Sequence, residues 1–123
     1  MEVKIGPYPT GDGNRQIEIH IDNYDIWNMD HTLALIIHPM LVRMRNAKPG
    51  SPLVANEDVP KELHRKAAIS DGTDEHWHAR WEYVLDEMIY TFSCISNDWD
   101  WHTNPRVTNG LTLFGKYYAS LWT

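Results

Sequence analysis

The chain has 123 residues, 42% of them apolar, with 6 Trp and 6 Tyr, which suffices for one domain with a sizeable core and excludes disorder. Seventeen acids against eleven bases leave a net charge of −6, so general affinity for a nucleic-acid backbone is not expected. A lone cysteine, Cys94, excludes an internal disulfide or a thiolate zinc cluster and suits a reducing compartment; the start lacks a signal-peptide pattern, and the longest apolar run, Leu33 to Ile37, is too short to span a bilayer.

In chain order, Val3 and Ile5 alternate with polar neighbours, dense turn chemistry follows from Gly6 to Asn14, and Ile17, Ile19 and Ile21 alternate again. This predicts an antiparallel hairpin with one apolar and one wet face. Tyr24 to Asn28 leads into a helix over about 29–46, whose core face is expected to be Leu33, Ile36, Ile37, Met40, Leu41 and Met44. Pro39 inside that pattern predicts a kink or break at His38. Asp58-Val59-Pro60 reads as the cap and first turn of a short helix to about Ala68, and Asp71-Gly72-Thr73-Asp74 as a turn and second acidic cap.

From there to about Ser93 two stripes run side by side at helical spacing. Trp77, Trp81, Val84, Leu85, Met88 and Phe92 form a ridge to bury, and His76, Arg80, Tyr83 and Glu87 lie beside it. Residues 96–109, rich in Asn, Asp, Trp and His, read as a loop whose Trp99 and Trp101 must pack on something. A last helix over about 110–122 has Leu113, Tyr117 and Leu121 on one stripe, with Phe114 and Tyr118 alongside. The expected fold is a single α+β domain over residues 1–123: an N-terminal antiparallel β-hairpin followed by three or four helices packed as a small bundle.

Charge is uneven along the chain: the charged residues of 43–66 are mostly basic, while Arg80 is the only base among the acids of residues 71–100. A guanidinium presented beside an indole can hold a phosphate while the ring stacks on a base, so Arg80 with Trp81, and Lys116 with Tyr117, are candidate ligand-binding residues, joined by His31 and His76. Asp30, His31, Glu82, Asp86 and Glu87 are an alternative set, because imidazole and carboxylate on facing helices can hold a divalent metal that activates water. For Arg80, the acids Glu75, Asp86 and Glu87 are the expected salt-bridge partners in the plain structural reading. Cys94 has no imidazole at a telling distance, and no Gly-rich phosphate loop or Gly-x-Ser-x-Gly elbow occurs, so nucleophilic catalysis has little support.

Several longer strings carry a resemblance: Ile21-Asp22-Asn23-Tyr24-Asp25, Trp27-Asn28-Met29-Asp30-His31-Thr32-Leu33, Glu57-Asp58-Val59-Pro60, Arg80-Trp81-Glu82-Tyr83-Val84-Leu85-Asp86-Glu87, and Leu113-Phe114-Gly115-Lys116-Tyr117-Tyr118. On these the chain, over about residues 17–122, resembles a family of small proteins of T4-like and marine tailed bacteriophages. The resemblance brings no activity; it implies an accessory phage protein made in the cytoplasm of the bacterial host, of a kind that counters host defence or adjusts nucleotide pools.

Three functions are then expected in competition. The first is a binder of a nucleotide-like or other anionic small molecule, with no cofactor; the second is an interaction or structural protein docking on a host or phage protein through exposed aromatics such as Trp99 and Trp101. The third is a metal-dependent hydrolase acting on a nucleotide. The surplus of aromatics makes a homo-oligomer the expected assembly, without membrane association.

Overall fold

A computed structural model describes residues 1–11, 13–47, 50–66 and 73–122. Its architecture is the expected one, an antiparallel two-stranded hairpin followed by helices. Strand β1 (Glu2–Ile5) pairs with β2 (Ile17–His20), with Val3 opposite Ile19 and Ile5 opposite Ile17. The four apolar side chains therefore share one face, as period-2 alternation requires. That face is not buried: every residue of both strands is solvent-exposed, and the hairpin makes only marginal contact with the helices.

Helix α1 (Asn23–Trp27) is a single turn and a half, started by the Asp22 N–H donating to the Asp25 carboxylate at 2.8 Å. Helix α2 (Met29–Asn46) follows and runs unbroken through Pro39. The expected break is absent for a geometric reason. Pro39 cannot donate to the carbonyl of Leu35, but both residues face solvent, so that carbonyl stays accessible to water and the helix continues. The buried face of α2 also differs from the expected one. Ala34 and Leu41 are buried, with Ile37 and Met44 packed against the core, whereas Leu33 and Met40 point outward, 40% and 66% exposed.

Helix α3 (Trp77–Asn97) is the central element, packing against both α2 and α4 (Pro105–Lys116). Trp81, Val84, Leu85, Met88 and Phe92 form its buried ridge, as the spacing predicts, while Trp77 is half-buried and donates its indole N–H to the Ser51 carbonyl at 3.0 Å. The helix α3–α4 contact is close because Gly110 sits against Thr91: a Cβ at that glycine would lie 1.7 Å from the threonine hydroxyl oxygen.

Three expected boundaries move. Residues 56–58 and 61–63 form separate 3-10 turns rather than one short helix, and the remainder of that predicted helix lies outside the described residues. The long loop after α3 is shorter than expected, since α4 begins at Pro105 with Asn104 as its cap, accepting from the Arg106 N–H at 3.0 Å. The last helix correspondingly ends at Lys116 and passes into a 3-10 turn, Tyr118–Ser120. Among the described residues no helix is long and apolar enough to cross a membrane.

Candidate functional site

Arg80 lies on the flank of the α3 ridge and is completely buried. Its Nη1 donates to Asp74 Oδ2 at 2.9 Å and to the Leu63 carbonyl at 3.0 Å, and its Nη2 donates to Asp74 Oδ1. Asp74 is itself only 4% exposed in its side chain, and the bidentate hydrogen bond from Arg80 holds its carboxyl down to about 2, against the opposing pull of desolvation. Asp74, expected as a helix cap, is therefore the ion-pair partner, in place of the neighbouring acids Glu75, Asp86 and Glu87. The pair ties the approach to α3 onto the 61–63 turn.

Trp81 points into the core beside it and meets the Tyr117 ring edge-on, centroids 5.9 Å apart. Tyr117 donates its hydroxyl to Asp58 Oδ2 at 2.5 Å and accepts from the Ala55 N–H at 3.0 Å; burial is the main reason its ionisation is pushed up. Lys116 reaches Asp58 Oδ2 at 2.6 Å and Glu57 Oε1 at 3.0 Å, and its ammonium is held charged chiefly by the bond to Asp58. Trp81 thus touches the Tyr117 ring, and Tyr117 and Lys116 hold residues 55–58. Each cation, however, already holds a carboxylate of this chain: Asp74 on Arg80, Glu57 and Asp58 on Lys116. A phosphate would have to displace one of them.

The other candidates fall into separate clusters. His31 packs on Trp99, ring centroids 4.0 Å apart, and stands 3.8 Å from Asp30; Asp30 accepts the Trp101 indole N–H at 2.9 Å, the main cause of its lowered pKa. This cluster seats the 98–103 segment on the start of α2. His76 stands at the N-cap of α3, 3.4 Å from Glu75. Glu87 receives Arg106 at 2.6 and 3.0 Å and the Tyr83 hydroxyl at 3.2 Å, and Arg106 lies over the Tyr90 ring. Glu82 and Asp86 both pair with Arg45 of α2, at 2.9 and 3.0 Å. The proposed metal set is divided among these partners, and among the described residues no three His, Cys, Asp or Glu side chains gather closely enough to hold an ion.

Two features escaped the sequence reading. Ser51 Oγ and His78 Nδ1 are 2.7 Å apart, with Trp77 stacked on the imidazole at 4.8 Å. A hydroxyl beside an imidazole is a nucleophile and base in outline, but the pair is exposed and no described carboxylate orients the other ring nitrogen, so its evident role is to latch residues 51–52 onto α3. The second feature is an apolar groove of about 1000 Å³ between the end of α2 and the end of the chain. Ile37, Met40 and Met44 form one wall, Phe114, Tyr118 and Trp122 the other, and Arg43 is the one charged residue among the described residues that line it. Its signal was present in the sequence as apolar residues in excess of what one buried stripe of α2 can use.

Searches against protein-family models, curated proteins and solved structures find no match to the chain.

Proposed function

We propose that this protein acts by docking on protein through a continuous apolar surface, rather than by chemistry on a small molecule. The observation that carries the reading is the groove along α2 together with the apolar residues that remain uncovered around it. Met40, on its wall, is 66% exposed; Trp122, at its far end, is 73% exposed, and Trp27, at the other end of α2, 77%. Single exposed apolar residues are ordinary, but several large ones in and beside one apolar groove are a mark of an interaction surface, and Trp and Met are residues such surfaces favour. The two candidate cations, Arg80 and Lys116, are satisfied internally, which removes the main attraction they would offer a nucleotide. The resemblance to phage proteins makes the infected bacterial cytoplasm the setting in which the surface works.

A photoreactive amino acid placed at Met40 or Trp122 tests the proposal in cells, with the same probe at exposed Glu62 as the reference. Crosslinking to protein at the two groove positions, suppressed by Met44→Asp, is expected. Equal labelling at all three positions would overturn the reading.

A further inference from the structure

Helix α2 has more apolar surface than its own core consumes. Beside the stripe of Ala34, Ile37 and Leu41 that packs on the core, a second stripe of Met29, Leu33, Ile36 and Met40 recurs in steps of four, three and four residues. That alternation is the a/d heptad of a helix seam, narrower than the face a helix turns toward a globular core. Three of its members are exposed and Ile36 is half-buried, so the seam is not filled by this chain.

We propose that this seam packs antiparallel against the same seam of a second copy, across a two-fold axis between Leu33 and Ile36. The inference rests on the docking role proposed above and names the partner. Register supports it: pairing Leu33 with Ile36 of the second copy also places Met29 opposite Met40, so all four layers are apolar on both sides. Beyond the seam, the antiparallel arrangement brings the Arg43 end of each α2 toward the segment that precedes the other α2, which carries Asp22 and α1. Charge is complementary in that arrangement. Arg43 is exposed and has no ion pair among the described residues, while Asp22, the N-cap of α1 and 3.5 Å from the N-terminal amine, keeps a side chain that is 81% exposed. The basic end of each helix thus meets the acidic approach of the other, and the two helix dipoles oppose.

Size also argues for this arrangement. Four seam side chains cover only roughly 400 Å² on each copy, about half of what a stable dimer buries per partner. The antiparallel register brings α1, with exposed Ile26 and Trp27, to the groove end of the second copy, where Met44, Phe114 and Trp122 await cover. The seam and the groove are continuous through Met40, which belongs to both. A two-fold contact is self-complementary and closes, so it ends as a dimer and not as a filament.

Sedimentation velocity of the full chain tests the proposal at concentrations from about 1 to about 100 µM, the range that separates a stable dimer from a weak encounter. A species of twice the 14.4 kDa chain mass is expected. Leu33→Glu with Met40→Glu should abolish it while circular dichroism stays unchanged, and Leu35→Glu, exposed on another face of the same helix, should leave it intact. Arg43→Glu should weaken the dimer about tenfold or more, and adding Asp22→Lys should recover most of that loss. A monomer throughout the range, a dimer indifferent to the seam double variant, or absence of rescue by the charge exchange each overturns the inference. If the chain is a monomer yet Met40 and Trp122 still crosslink to a different protein, the docking role stands and only the second copy is wrong; no crosslinks at those positions ends both.

Discussion

Arg80 shows how a residue can be conspicuous in the sequence and still be misread from it. As the only base among the acids of residues 71–100, beside Trp81, it invited an anion, and it does hold one: Asp74, from its own chain. Asp74 precedes the first turn of α3, where its role reads as a cap, so helical periodicity does not pair it with Arg80. The pair makes acid sensitivity a residue-level expectation. With the folded-state value at about 2 and the ordinary value at 3.8, Asp74 contributes stability that is complete above the ordinary value and is lost as pH falls toward 2. Asp74→Asn should therefore lower Tm at neutral pH and flatten its fall between about pH 4 and pH 2, measured by thermal melts across that range. An Asn variant that melts in parallel with the parent would remove the pair from the account. Gly110 is a second residue whose role sequence hides, because glycine inside a helix reads only as a weak point. Against Thr91 it is a requirement of packing. Gly110→Ala should cost about 2 kcal/mol or more by chemical denaturation, the reverse of what helix propensity alone gives, and Thr91→Ala should restore only part of it, since the Thr91 Cβ would remain 2.7 Å from the new one.

Elements were legible where one face of a helix has one task. The ridge of α3 follows directly from its spacing, because a helix between two others must bury its Trp, Leu, Met and Phe. The start of α4 was lost among the polar and aromatic residues of 96–109, although Asn104-Pro105 is a cap followed by a first-turn proline. Asn104 also donates to the Tyr90 hydroxyl at 3.1 Å, joining the α4 start to α3. Asn104→Ala should lower stability by about 1 kcal/mol, and Asn104→Asp, which retains a cap acceptor, by less; equal losses would place the effect in the Tyr90 contact instead of the cap. Helix α2 has the expected bounds, and its buried face differs from the expected one for a deeper reason. It carries two apolar stripes, and a periodicity reading merges them into one broad face. Small Ala34 marks the side that approaches α3, and the larger Leu33 and Met40 mark the side left open, the opposite of an inference based on size and hydrophobicity. The same ambiguity concealed the groove, and with it the surface on which the functional proposal depends.

At the scale of the molecule, the hairpin and the helical body obey different rules. The body has a closed core in which Trp81, Leu85, Met88 and Leu113 are almost wholly inaccessible. The hairpin has paired strands and an exposed apolar face, Val3, Ile5, Ile17 and Ile19, and its attachment includes the chain connection and the N-terminal amine, 3.2 Å from Asp25 and 3.5 Å from Asp22. An isolated two-stranded hairpin is marginal in water, so its persistence depends on what it rests upon. In the antiparallel dimer α1, which follows β2 after two residues, is carried to the partner's groove, and association would bring part of the hairpin's face against the partner. Hydrogen exchange distinguishes this from a permanently rigid arm. In the monomeric Leu33→Glu, Met40→Glu variant the amides of residues 3–5 and 17–19 should exchange within roughly tenfold of the unfolded rate, while those of 84–92 in α3 stay protected to the level of global unfolding. In the parent chain, protection of the hairpin should rise with protein concentration as dimer forms, and that of α3 should rise only by the global stabilisation that association confers. Hairpin protection that is high in the variant and independent of concentration would mean that the strands need no partner, and the exposed isoleucine face would then have to be explained by the strength of its own cross-strand pairs.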